Sequence, residues 1–192
     1  MDHPMIDPTY LISTAPTFSL PFSTLVESLR AAGITKWVSF EGNSFDYTAI
    51  IGVLEKNKDV GSHVVLLHDT MEVSPETPSL VEQADPESGA VAAFGGQCNL
   101  GLYRMDWIST MREELLAFKN CSKKQAISFE GEMWRRCPTR TSYPNGSCVE
   151  IGRGKPYGNA ERITEMYTAL QIRKHKSNWG QTCQTGEYVL TP

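Results

Sequence analysis

Residues 63–67, His-Val-Val-Leu-Leu, make the strongest strand pattern in the chain, and the pattern ends abruptly at His68-Asp69-Thr70. An apolar run this short, bounded by polar residues, predicts a strand buried on both faces, as in the sheet of an α/β protein. The residues before it fit that class. Residues 9–15 predict a short buried strand that runs into a loop at Pro16. Phe22, Leu25, Val26 and Leu29 then recur at helical spacing across residues 20–32, with Gly33 where a helix stop belongs. Trp37-Val38-Ser39-Phe40 predicts a second strand, and residues 47–56 a second helix ending at Asn57-Lys58-Asp59. Strands alternating with helices imply parallel pairing and right-handed crossovers. In such sheets ligands gather at the carboxyl ends of the strands, which makes Asp69 a candidate site residue.

Beyond Asp69 the pattern weakens. Residues 74–90, rich in Pro, Glu and Ser, predict a surface loop or short helix, and residues 90–94 a fourth strand. Residues 107–118 predict one helix with Met111, Leu115 and Leu116 on a face. The stretch 119–160 carries many Gly and Pro residues and is expected to be irregular, a lid or acceptor loop. Ile163, Met166, Tyr167 and Leu170 predict a last helix from about 160 to 173.

At 192 residues the chain is expected to form a single domain, either complete or part of a longer enzyme. No stretch approaches the roughly 18 consecutive apolar residues of a membrane span, and the first residues lack the pattern of a secretory leader. The five cysteines form no CxxC pair and are odd in number, which argues against a zinc knuckle and a complete disulfide framework; reduced thiols in a cytoplasmic protein are expected. Residues 1–120 carry 7 basic and 16 acidic side chains, and residues 121–192 carry 11 and 6. A modestly basic last third suits a phosphate-bearing small molecule better than nucleic acid. No P-loop pattern is present.

A carboxylate at a strand end can hold a divalent ion that neutralises a departing diphosphate, and it can equally cap the next turn. Asp69 is open to both roles, with Glu72 or water completing any coordination. Lys174 and Lys176 supply charges suited to phosphate, or complement a helix end. His175 is a metal ligand or a surface residue, and Trp179 a lid or core residue. Asp106 and Glu132 are candidate general bases, Asp106 also fitting a helix N-cap. Arg135, Arg136 and Arg153 would contact acceptor or phosphate, or keep a loop soluble.

Four tracts, Tyr10-Leu-Ile-Ser-Thr-Ala-Pro16, Leu66-Leu-His-Asp-Thr70, Cys98-Asn-Leu-Gly-Leu-Tyr-Arg104 and Lys174-His-Lys-Ser-Asn-Trp-Gly180, together resemble GT-A-type glycosyltransferases of the compact kind found in bacteria and large DNA viruses. The resemblance implies a three-layer α/β sandwich with a mostly parallel central sheet flanked by helices. It implies transfer of a sugar from a nucleoside diphosphate donor to a glycan hydroxyl, with Mn²⁺ or Mg²⁺ at Asp69. Ser13, Thr14 and Ala15 would lie against the nucleoside, with His68 beside them. Asn99 and Gly101 would line the donor sugar, and Lys174, Lys176 and Trp179 would fold over the diphosphate. The family's second metal-binding acid is replaced here by Met71. That departure keeps a second class open, a non-catalytic module binding a nucleotide or carbohydrate.

Overall fold

The computed structural model describes residues 6–15, 19–96, 98–155 and 162–177. The first half follows the strand and helix alternation. Strand β1 (Thr9–Thr14) leads to helix α1 (Ser19–Ala31), β2 (Trp37–Glu41), a 3-10 turn at Phe45–Tyr47, helix α2 (Thr48–Lys56) and β3 (His63–His68). Both helix stops are chemical. Gly33 takes φ 71° and closes α1 with the paired bonds Gly33 N to Arg30 O and Ile34 N to Leu29 O, and Asn57 closes α2 at φ 47°.

β1 pairs in parallel with β2 on one side and β3 on the other. The sheet continues through β6 (Gly101–Arg104), β5 (Ala90–Ala92) and β7 (Arg140–Ser142), in the order β2-β1-β3-β6-β5-β7. β6 runs antiparallel to both neighbours, so the expected mostly parallel sheet is a mixed one, with three parallel and two antiparallel pairings. The reversal follows from the short connection between β5 and β6, eight residues that cannot cover a parallel crossover.

Period-2 alternation divides the core between the two faces of this sheet. Leu11, Val64 and Leu66 face α2 together with Tyr103, Trp107, Phe129 and Met133. Tyr10, Ile12, Val65 and Leu67 face Leu25 and Leu29 of α1 and Tyr167 and Ile172.

Three expectations fail in instructive ways. The single helix over 107–118 is two, α4 (Met105–Thr110) and α5 (Arg112–Ala117), separated at Met111. Ser109 and Thr110 donate their hydroxyls to Met105 O and Trp107 O, and such back-bonding weakens helix continuity. The supposedly irregular stretch contains α6 (Lys123–Arg136), which starts with a capping box between Ser122 and Gln125. The terminal helix is a hairpin of β9 (Arg162–Tyr167) and β10 (Ile172–Ser177), turning through Gln171 at φ 53°. β4 (Met71–Val73) and β8 (Cys148–Gly154) join it in a second, antiparallel sheet of order β4-β10-β9-β8. Pairing of β9 with β8 and β10, and of β10 with β4 a hundred residues away in sequence, overrides the helical spacing.

α3 (Thr77–Glu82) completes the elements. The four described cysteines are free. Among the described residues no helix is long and apolar enough to cross a membrane.

Candidate functional site

The path from β1 through α1 to β2, then back across β1 through α2 to β3, reverses direction at β1. The chain leaving β1 goes to α1 on one face of the sheet and the chain leaving β2 goes to α2 on the other, and a crevice opens beyond the carboxyl ends of β1 and its neighbours. A cleft of about 510 Å³ occupies this place. Its floor is Ser13, Thr14, His68 and Asp69, α6 forms one wall, and β10 forms another through Lys174, His175 and Lys176.

The 3-10 turn brings Asp46 into the cleft. Ser13 Oγ donates to Asp46 O at 3.0 Å and accepts from Ala49 N at 3.0 Å, fixing the turn to β1. Asp46 Oδ1 meets His68 Nε2 at 3.1 Å. Burial works to raise the Asp46 pKa, but His68, Lys174 and hydrogen bonds from His68 and Glu130 outweigh it and hold the carboxyl well below the usual range. Glu130, on α6, responds oppositely: burial, then the neighbouring Asp46 charge, push its carboxyl up to about 8. At neutral pH the two carboxyls therefore share one proton, which sits on Glu130 and is donated to Asp46. Asn99 Nδ2 approaches the other side of Glu130, 3.5 Å from Oε2, and Cys98 N donates to Glu130 O at 3.2 Å.

Asp69 is buried beside this pair. Its Oδ2 accepts from Ala15 N at 3.0 Å, and its own N–H donates to Ser13 O at 3.1 Å. Burial raises its carboxyl to about 6, opposed by the Ala15 hydrogen bond and by His68. Ser13, Thr14, Ala15, His68, Asp69, Asn99, Lys174 and Lys176 thus converge on one cleft. Lys176 is bound to Glu165 at 2.7 Å, while the Lys174 ammonium acts on Asp46 and Glu130.

Other candidates fall elsewhere. Asp106 is an exposed residue of α4, ion-paired with Arg104 and accepting from Trp107 N, and it lines two other depressions. Glu132 and Arg136 pair on the exposed side of α6, and Arg153 pairs with Glu150 at 2.8 Å. Neither they nor Arg135 line the cleft. Gly101 is buried inside the sheet, where a Cβ would lie 2.2 Å from Val91 O, so its lack of a side chain serves strand packing. Glu72 is bound to His175 Nε2 at 2.7 Å, and His175 Nδ1 meets Thr164 Oγ1 at 2.9 Å, which makes this histidine a buried link between strands. Met71 is fully buried. Trp179 lies outside the described residues.

Among the described residues no three His, Cys, Asp or Glu side chains are grouped to hold a metal ion. Asp69 alone fits the lesser demand of an ion that takes one protein carboxylate and fills its shell with ligand phosphates and water.

Sequence reasoning missed Asp46 and Glu130. Asp46 had a signal in its place at a strand-to-helix junction. Glu130 had one in the Ser122-x-x-Gln125 box, which announces a helix whose apolar positions Ala126, Phe129 and Met133 share their face with an acid. No protein-family model, curated protein or solved structure matches the chain.

Proposed function

We propose that the chain is a glycosyltransferase that moves a sugar from a nucleoside diphosphate donor to a hydroxyl of a glycan acceptor, in the manner of the GT-A-type enzymes its sequence resembles. The observation that carries this is the carboxyl pair of Asp46 and Glu130 in a cleft at the strand reversal, with the Lys174 ammonium beside it. The cleft volume of about 510 Å³ falls in the ~300–1,000 Å³ span of small-molecule sites.

In this scheme the nucleoside lies against Ser13, Thr14 and Ala15, and Lys174 faces the diphosphate as a mobile point charge. Asp69 holds Mn²⁺ or Mg²⁺ jointly with the phosphates, and that ion would offset the charge of the departing diphosphate. Glu130 is the group suited to take the proton from an acceptor hydroxyl once it has given up its own, so transfer should rise with pH through about 8. Asn99 and Asp46 orient it from two sides. Free cysteines fit a reducing, cytoplasmic setting.

A second reading, a binding module without turnover, draws on the buried Met71 that stands where the family has an acid. One experiment separates the two. Nucleotide sugars are screened by thermal shift with Mn²⁺ and with chelator, and the stabilising donor is offered to wild type and Glu130→Gln with a glycan acceptor. An enzyme is stabilised by one donor only with metal, and Glu130→Gln keeps that shift while losing transfer by about 10²-fold or more. Donor binding with no transfer or donor hydrolysis in wild type indicates the module, and no donor shift at all defeats both.

A further inference from the structure

Two large apolar side chains that the donor scheme leaves unused line the cleft. Phe94 is 40% exposed and Ile127 56% exposed, both well above what large apolar side chains in the core show, and both line the cleft. Phe94 is held in place. Phe94 packs edge-to-face on Tyr167 with ring centroids 6.5 Å apart. The turn after it is pressed against α6, where a Cβ at Gly96 would lie 2.9 Å from Trp134 Nε1. Ile127, Glu130 and Trp134 are spaced three and four residues apart, on one face of α6.

The geometry points to Phe94 and Ile127 as a stacking platform for the C–H face of a pyranose ring, the acceptor subsite of the transfer proposed above, on which this inference rests. Phe94 follows β5, three strand spacings from β1 in the sheet order, or roughly 14 Å at about 4.8 Å per strand. That separation leaves the Ser13–Ala15 end to the donor and seats a second ring at the far end. Glu130 lies between them, touching Asp46 on one side and Asn99 on the other. A purely apolar ligand would desolvate the polar atoms of Asn99 and Glu130 without replacing their water, which is costly. A pyranose offers both surfaces, C–H groups for the aromatic ring and hydroxyls for the amide and carboxyl.

The test uses the whole chain and a panel of methyl α- and β-glycosides of glucose, galactose and mannose, followed by saturation-transfer NMR and titration. In wild type, saturation is expected to concentrate on the ring protons of one face of the bound glycoside. Phe94→Ala should weaken that glycoside about fivefold, Phe94→Trp should keep or tighten it, and Ile127→Asn should weaken it to a similar degree. The donor thermal shift should be unchanged in all three. Binding that ignores these substitutions, saturation spread evenly over the ring, or no glycoside bound by wild type overturns the subsite even where the donor shift stands. Glycoside binding that tracks Phe94 while no donor binds overturns the transferase scheme and leaves the platform as a carbohydrate site.

Discussion

Asp46 and His68 meet at 3.1 Å although they come from opposite sides of β1, one following β2 and the other ending β3. Their contact bridges the crevice at its base, and Glu130 closes over it from α6. The electrostatics of the site are therefore those of a linked group, in which a change at one member is felt at the others.

Asp46→Asn should lower the Glu130 pKa, because the Asp46 charge is the second cause of its elevation after burial. Carboxyl carbon chemical shifts followed through a pH titration measure this directly. An unchanged Glu130 titration would mean that burial alone sets it.

Glu130→Gln should flatten the dependence of stability on pH. The wild-type carboxyl titrates near 4.5 unfolded and near 8 folded, so the native state holds the extra proton between those values and stability declines as pH rises through that window. Asp69, raised to about 6, acts with the same sign from 3.8 upward. Asp46, held low, acts oppositely, with stability lost only as pH falls below its unfolded value of 3.8. Urea unfolding at a series of pH values should show a shallower slope for the variant between pH 5 and 8, and a variant more stable than wild type above pH 8.

Asp69→Asn should abolish donor stabilisation in Mn²⁺ while changing the stability of the ligand-free protein by less than about 1 kcal/mol, since an amide oxygen can still accept from Ala15 N. Mn²⁺ without donor should give wild type no shift, because one carboxylate is a poor cage by itself. Differential scanning fluorimetry on both proteins reads both outcomes.

Gly101→Ala should cost about 3 kcal/mol or prevent folding, because the new Cβ meets the Val91 carbonyl, part of the neighbouring strand's backbone. Chemical denaturation measures the loss. A mild effect on stability with a large effect on donor binding would return Gly101 to the ligand.

Lys174→Gln should weaken donor binding about tenfold and make it less sensitive to salt, whereas Lys176→Gln should change it little, since Lys176 is already paired with Glu165 at 2.7 Å. Donor titrations at low and high ionic strength compare the two lysines.

What could be read from the sequence divides near Asp69. The first three strands and two helices follow from local causes, namely apolar runs of strand length, one helical stripe, and Gly33 and Asn57 at the stops. Asp69, Ser13 and Lys174 were placed by the same means or by resemblance, and they share the cleft. The remainder depends on distant partners. Ile163, Met166, Tyr167 and Leu170 fit a helix well, and the first three form a strand because β8 and β10 pair with it on either side, β10 being itself laddered to Met71–Val73. Glu130 was hidden because its helix lies in a stretch dominated by Gly and Pro. Asp106 misled because an acid before an apolar helix looks alike whether it caps or catalyses, and here Arg104 and Trp107 N occupy it.

Thr70 is the joint at which the chain leaves one sheet for the other. Its carbonyl accepts from His175 N at 2.9 Å, and the next residue, Met71, is the ladder partner of Lys174. The acid and the lysine, a hundred residues apart along the chain, are thereby geared together: a charge that draws Lys174 inward tugs the strand stitched to the turn holding Asp69. Inserting one residue between Asp69 and Met71 would put both out of step at a stroke, while leaving every lysine in the sequence untouched.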